Sequence, residues 1–245
     1  PPTADAGADV TVTCTAPSAT LTATGGGTYL WSTTATTASI TVSPMATTAY
    51  TVTVTGSNGC TASDEVVVTV DQTAPTANAG ADVTVTCTTP SAKLTATGGG
   101  TYLWSTSATT ASITVSPLAT TTYTVTVTGS NGCTATDEVV VTSQKAAPTA
   151  DAGADVTVTC TTPSAMLTAT GGGTYLWSTT ATTASITVSP MATTTYTVTV
   201  TDSNGCTNSD EVLVIADKTE PTANAGADVT VTCTAPSATL TATGG

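Results

Sequence analysis

The clearest pattern in this chain is a strict alternation of apolar and hydroxyl residues that ends in a turn and a cysteine. Residues 50–55 read Tyr-Thr-Val-Thr-Val-Thr, residues 56–59 read Gly-Ser-Asn-Gly, and Cys60 follows. A two-residue period buries one face of a β-strand and exposes the other, and Gly and Asn tolerate the positive φ of a turn. Because residues 66–70 continue as a second alternating strand, the segment predicts a β-hairpin with a cysteine at its tip.

This hairpin recurs at a spacing of 73 residues. It returns unchanged at 123–133 and again at 196–206, where Asp202 replaces a glycine. A fixed period of this size indicates tandem repeats rather than one large domain. The predicted domains are repeat 1 at 1–73, repeat 2 at 74–146, repeat 3 at 147–219, and a partial repeat 4 at 220–245 that holds the first two strands of a unit.

Each complete repeat carries six or seven short strand patterns separated by turn signals. Between them stand Gly-rich and Pro-containing turns, and no helical period occurs. Such spacing predicts an all-β fold of tandem antiparallel β-sandwiches. Short proline-containing linkers such as 71–75 further predict an elongated array. In repeat 4 we expect strands at 229–233 and 240–242, ordered only if something completes them, because an isolated strand pair is marginal in water.

Charge and composition exclude several functions. The chain holds 16 acidic and 3 basic residues and no histidine, for a formal charge of −13. An acidic surface disfavours nucleic acid and anionic lipid as partners. The neighbouring acids Asp64 and Glu65 point to opposite faces of a strand and form no carboxylate dyad. We therefore expect no enzyme activity.

The cysteines keep the same period as the hairpins. With small cores, repeats of this size usually need a covalent staple. We predict disulfides within each repeat and hence an exported protein; buried free thiols and a zinc site are the alternatives, although two cysteines make only half a zinc site. The predicted pairs are Cys14 with Cys60, Cys87 with Cys133, and Cys160 with Cys206, leaving Cys233 unpaired.

Two groups of residues suggest binding sites, one for calcium and one for a sugar. Asp5, Asp9 and Asp71 could meet between repeats and offer oxygen ligands to calcium, but only Asp9 is kept in every repeat, and turn-capping carboxylates explain the pattern as well. No metal or cofactor is therefore favoured. Tyr29 and Trp31 could stack on a sugar, although a core position is the commoner fate of a strand aromatic. The predicted core aromatics are Trp31, Tyr50, Trp104, Tyr123, Trp177 and Tyr196.

The repeats also resemble a known class. A Trp on the third strand and a Tyr opening the fifth are similar to an immunoglobulin-like sandwich. The run AGADVTVTC, LTATGGGTYLWS, ASITVSP and YTVTVTGSNGCTASDEVVVTV resembles the immunoglobulin-like and PKD-like repeats of Bacteroidetes surface proteins, including SprB-like gliding adhesins exported by type IX secretion. Trp31 is followed by Ser-Thr-Thr rather than by the PKD sequence WDFGDG, which favours the broader immunoglobulin-like class.

The resemblance implies an extracellular role on a bacterial cell surface. We expect stalk or fibre repeats that give an adhesin reach and mechanical strength, with neighbouring repeats as partners. A repeat array that binds a glycan or protein, and a self-assembling filament, are the alternatives. Residues 1–3 match the linkers before the later repeats, and residues 244–245 match the turn residues 25–26, so we also expect a segment of a longer array.

Overall fold

The computed structural model describes residues 1–244, in which every regular element is a β-strand. Over these residues no helix has the length and apolar character needed to cross a lipid bilayer. The strands of repeat 1 are β1 (Val10–Thr13), β2 (Ala19–Thr22), β3 (Thr28–Trp31), β4 (Ser39–Val42), β5 (Thr48–Thr55) and β6 (Thr61–Asp71). The fully buried residues within a strand of repeat 1 lie two positions apart, as in β2, β4, β5 and β6, because successive side chains of a strand point to opposite faces.

These six strands form the two layers of a sandwich. One sheet has the order β1-β6-β5-β3, and the other is the pair β2-β4. The hairpin β5–β6 is antiparallel over its whole length, from Thr48 opposite Val68 to Thr55 opposite Thr61. The prediction of tandem immunoglobulin-like sandwiches is confirmed, with one correction: β1 runs parallel to β6.

Repeats 2 and 3 have the same six elements. Their sheets follow the same strand orders. The strands of repeat 2 are β7 (Val83–Thr86), β8 (Ala92–Thr95), β9 (Thr101–Trp104), β10 (Ser112–Val115), β11 (Thr121–Thr128) and β12 (Thr134–Gln144). Those of repeat 3 are β13 (Val156–Thr159), β14 (Ala165–Thr168), β15 (Thr174–Trp177), β16 (Ser185–Val188), β17 (Thr194–Thr201) and β18 (Thr207–Asp217).

Each repeat has its own small hydrophobic core around a tryptophan. Trp31 is 1% exposed and packs with the inward faces of both sheets. Its indole Nε1 donates a hydrogen bond to the carbonyl oxygen of Thr37 at 3.0 Å, which satisfies the one polar atom of the ring. Tyr29 and Tyr50 are half-buried at the edge of this core. Trp104 and Trp177 occupy the same position in their repeats.

By its contacts the chain divides into two compact units. The first comprises residues 1–85 and 89–144, and so contains most of repeats 1 and 2. The second comprises residues 86–88 and the chain from Lys145 onward.

The residues after repeat 3 differ from the expectation for a partial repeat 4. The strands expected at 229–233 and 240–242 are not formed, and the elements there are β19 (Ala223–Asn224) and β20 (Thr243–Gly244). Every residue from 219 to 244 is exposed. In a complete repeat the first strand pairs with the last, as β1 does with β6. Because the fragment lacks that last strand, its first strand has no partner.

Candidate functional site

The disulfides connect different repeats, which corrects the predicted pairing. Cys14 bonds with Cys133, and Cys87 bonds with Cys206; each pair has a Cα–Cα distance of 5.1 Å and a sequence separation of 119. In both, the cysteine after the first strand of one repeat joins the hairpin tip of the next repeat along the chain. The intra-repeat pairs Cys14–Cys60, Cys87–Cys133 and Cys160–Cys206 are wrong.

The register of the main sheet explains the error. Thr13 lies opposite Asp71 because β1 runs parallel to the second half of β6. Cys14 is therefore at the end of the repeat where the chain leaves, and its Sγ lies 4.0 Å from the carbonyl oxygen of Gln72. Cys60 precedes the other end of β6, an 11-residue strand whose ends are about 33 Å apart. A disulfide requires Cα atoms within about 7 Å, so Cys14 cannot reach Cys60.

In the first unit, hydrogen bonds reinforce the Cys14–Cys133 bond. Asn131 lies in the hairpin turn of repeat 2, and its side-chain nitrogen donates to the Asp71 carboxylate at 2.9 Å and to the carbonyl oxygen of Thr73 at 3.0 Å. The backbone nitrogen of Cys14 donates to the Asn131 carbonyl oxygen at 3.2 Å. The turn is thus fixed to the last strand, the first strand and the linker of repeat 1.

The turn that carries Cys133 is closed by its own hydrogen bonds. The Gly129 nitrogen donates to the Cys133 carbonyl oxygen at 2.9 Å, and the Cys133 nitrogen donates to Asn131 Oδ1 at 3.1 Å. Gly132 has φ +74, a conformation that favours glycine. A Cβ atom added to Gly132 would overlap the side chain of Thr15. Glycine is therefore required at this position both by the turn and by the contact with repeat 1.

The Cys87–Cys206 bond in the second unit has the same geometry with a modified turn. Asp202 replaces the glycine that opens the turn in the other repeats, and its Oδ1 accepts hydrogen bonds from the nitrogens of Asn204 at 2.9 Å and Cys206 at 2.8 Å. A Cβ on Gly205 would overlap Thr88, just as one on Gly132 would overlap Thr15. The contact of a threonine with a turn glycine thus occurs at both disulfides.

Disulfide bonding and burial of the hairpin tip go together. Cys133 and Cys206 are 3% and 2% exposed. Cys60 ends a segment, 50–60, that is identical in sequence to 123–133, and yet it is a free and exposed thiol. Cys160 and Cys233, which follow first-strand sequences, are also free and exposed. The hairpin tip is therefore covered only where the first-strand end of another repeat meets it.

The proposed calcium ligands have separate roles in the structure. Asp5 accepts from the Gly7 nitrogen at 2.8 Å and Asp9 accepts from the Val67 nitrogen at 2.9 Å, while Asp71 binds Asn131. Asp9 satisfies a backbone donor of β6 just before β1 begins to pair, and Asp82 and Asp155 do the same in repeats 2 and 3. Within residues 1–244, no group of three or more acidic, cysteine or histidine side chains is placed to hold a metal ion.

The acid pair Asp64 and Glu65 and the aromatic residue Trp31 also have positions that suit a structural role. Asp64 accepts a hydrogen bond from the Ala6 nitrogen at 2.7 Å, whereas Glu65 is exposed. The two carboxylates point apart, as the alternation of the strand predicts. Trp31 is enclosed by the core and offers no face to a sugar.

Sequence reasoning missed Asn131, Thr15 and the whole class of contacts between repeats. The turns of repeats 1 and 2 are identical in sequence, so they gave no sign that the first lies free and the second is covered. The one available signal is the length of β6, because a cysteine before an 11-residue strand and a cysteine at its far end cannot meet. Using that signal requires knowing that β1 is parallel to β6.

No protein-family model and no curated protein matches the sequence. Among solved structures, the chain is similar to one titled "Ca2+-stabilized adhesin helps an Antarctic bacterium reach out and bind ice", with 17% identity, a TM-score of 0.43, and coverage of 91% of this chain and 78% of that one. A three-domain immunoglobulin segment of titin gives 11% identity and a TM-score of 0.40, covering 89% of this chain and 99% of that one.

The immunoglobulin domains 1–5 of Sidekick-1 give 12% identity and a TM-score of 0.32 over 88% of this chain. The chain spans 59% of the length of that structure. At these identities and TM-scores the comparisons assign no function to this chain.

Proposed function

We propose that this chain is a mechanical spacer: stalk or fibre repeats of an exported adhesin on a bacterial cell surface. The observation that carries the proposal is the position of the disulfides. Each one joins two repeats that the peptide linker already joins, so tension from one repeat to the next has two covalent routes. A staple that stabilised single repeats would instead lie within each repeat.

The chemistry of the chain supports this proposal. Disulfides persist in oxidising, extracellular surroundings. Closing a loop of 119 residues lowers the entropy of the unfolded chain by the equivalent of about 5 kcal/mol. The assignment to the Bacteroidetes surface repeats, to SprB-like gliding adhesins and to type IX secretion is part of the proposal and rests on the sequence resemblance. We propose no enzyme activity and no required metal.

Localisation and thiol state test the proposal together. Antibodies to repeat 2 should label intact cells of the source organism. Alkylation of those cells without reductant, followed by mass spectrometry, should find Cys14, Cys133, Cys87 and Cys206 unmodified. Labelling that requires cell lysis, or alkylation of these four thiols in intact cells, would contradict export.

A second candidate, lateral self-association into a filament, has one specific observation in its favour. The strand β3 is at the edge of its sheet, and Leu30 on it is 52% exposed. Leu103 and Leu176 repeat this exposure at 51% and 52%. Exposed apolar residues on an edge strand favour pairing with another chain. We expect the unmodified chain to associate sideways in sedimentation experiments, and we expect replacement of the three leucines with threonine to abolish this association; an unmodified chain that stays monomeric would contradict this candidate.

A further inference from the structure

The hydrogen bonds between repeats 1 and 2 centre on one residue, Asn131. Its Nδ2 atom donates to the Asp71 carboxylate at 2.9 Å and to the Thr73 carbonyl oxygen at 3.0 Å. Its Oδ1 atom accepts from the Cys133 nitrogen at 3.1 Å, and its backbone carbonyl accepts from the Cys14 nitrogen at 3.2 Å. The contact with Asp71 therefore requires a donor at this position, which an amide supplies and a carboxylate does not.

The sequence around Asn131 allows that amide to be lost. The next residue is Gly132, and because glycine has no Cβ atom its backbone nitrogen can approach the asparagine Cγ. Attack of this nitrogen on Cγ forms a cyclic succinimide, and the amide nitrogen leaves as ammonia with the proton that the attacking nitrogen gives up. Water then opens the ring at either of its carbonyl carbons, which leaves aspartate or isoaspartate. A water molecule is consumed, ammonia is released, and nothing is oxidised or reduced.

The closed joint slows this reaction. Rotation of the Asn131 side chain toward the Gly132 nitrogen would break both of the hydrogen bonds that its Nδ2 atom makes to repeat 1. The Gly132 nitrogen itself donates to the Gly129 carbonyl oxygen at 3.0 Å, and both Asn131 and Gly132 are half-buried. The reaction therefore proceeds from an open state in which the turn has left repeat 1, and its rate follows the population of that state.

The product cannot re-form the contact. Aspartate at position 131 has no donor, so the Asp71 carboxylate and the Thr73 carbonyl both lose their partner. Two carboxylates then face each other, and like charges at such a distance repel. Isoaspartate adds a carbon atom to the main chain before Gly132, which displaces the turn from the Thr15 side chain that lies beside this glycine.

We propose that Asn131 is a deamidation site, and that the reaction removes the hydrogen bonds that reinforce the Cys14–Cys133 disulfide. Water is the only reagent. The site records opening of the joint, because the closed joint is protected and each period in the open state allows an irreversible step. This inference goes beyond the spacer function and holds whether or not the chain belongs to an adhesin.

The chain contains a matched reference for the rate, which is Asn58. The turn 56–60 has the same sequence as the turn 129–133. In both turns the cysteine nitrogen donates to the asparagine Oδ1, at 3.2 and 3.1 Å. Asn58 is exposed, whereas Asn131 is half-buried against repeat 1. A difference in rate between the two asparagines therefore reports the contact between the repeats.

The first experiment compares these rates. The oxidised full chain is incubated in mildly alkaline buffer, and peptide mass spectrometry follows the deamidation of each asparagine. We expect Asn131 to react about tenfold more slowly than Asn58, which corresponds to about 1.4 kcal/mol for opening the joint. D71A removes the charged acceptor and should raise the rate at Asn131 severalfold. D217A is the same change in repeat 3 and should leave that rate unchanged, since the Asp217 carboxylate accepts from Thr219 rather than from an asparagine.

Variants that imitate the product test its consequence. N131D should lower the protection of the Cys14 amide from hydrogen exchange by about tenfold, and a thiol should reduce the Cys14–Cys133 bond faster. N58D, the same change in the matching turn, should alter neither measurement. D71N/N131D exchanges the donor and the acceptor, so that one hydrogen bond can form again and part of the protection should return.

Several results would overturn the proposal. Equal deamidation rates at Asn58 and Asn131 would show that the joint gives no protection, and a rate at Asn131 unaffected by D71A would show that the carboxylate contact does not supply it. Protection of the Cys14 amide in N131D equal to that of the unmodified chain, or a double variant D71N/N131D no better protected than N131D, would show that deamidation does not act through this contact.

Discussion

Reduction of the two disulfides should lengthen the stretched chain by several hundred ångströms. Between Cys14 and Cys206 the backbone holds 192 residues. With both disulfides intact, the shortest covalent route passes from Cys14 to Cys133, back along 46 residues to Cys87, and across to Cys206. Only those 46 residues can be extended before the covalent bonds themselves carry the load.

The expected lengths follow from the reach of the chain. At about 3.5 Å per residue, 46 residues extend to about 160 Å and 192 residues to about 670 Å. Removing either disulfide alone leaves a route of 73 residues, because the path then includes one disulfide and the backbone from Cys14 to Cys87 or from Cys133 to Cys206. That route extends to about 260 Å, whichever bond is removed.

Single-molecule stretching between the two chain ends measures these values. The double variants C14S/C133S and C87S/C206S should give the same intermediate length, and the quadruple variant should match the wild-type chain in reductant. The intra-repeat pairing would instead leave each loop locked separately, so that removing any one pair lengthens the chain by 46 residues. A wild-type length that does not change in reductant would refute the inter-repeat pairing.

Three further outcomes are expected. Gly132→Ala should destabilise the contact between repeats 1 and 2 more than Gly99→Ala does, because both glycines have positive φ but only Gly132 contacts Thr15. Hydrogen exchange in the turn that holds Asn131 should be faster in the Gly132→Ala variant alone. Equal exchange in the two variants would contradict this. Asp64→Ala should lower the free energy of unfolding of repeat 1 by about 2 kcal/mol in a urea titration, because the part-buried Ala6 nitrogen loses its acceptor. Glu65→Ala, at the neighbouring exposed position, should have little effect in the same titration. A calcium chelator should shift the thermal midpoint by less than about 5 °C; a larger fall would restore the calcium hypothesis.

The sequence by itself determined the local structure of each repeat. The alternation of residues 50–55 with a turn at 56–59 specifies a hairpin wherever it occurs, since a strand's side chains point alternately to opposite faces. The spacing of 73 residues specifies the number of repeats, and the alternation also places Asp64 and Glu65 on opposite faces.

Only the tertiary structure decided which cysteines meet. The pairing depends on β1 lying parallel to β6, which places Cys14 about 33 Å from the end where Cys60 lies. That strand order is a non-local choice, and the alternating pattern is equally compatible with an antiparallel neighbour. The same limit explains why the strand expected at 229–233 is not formed. Its residues match those of β1, but a strand forms only where a partner strand supplies its hydrogen bonds.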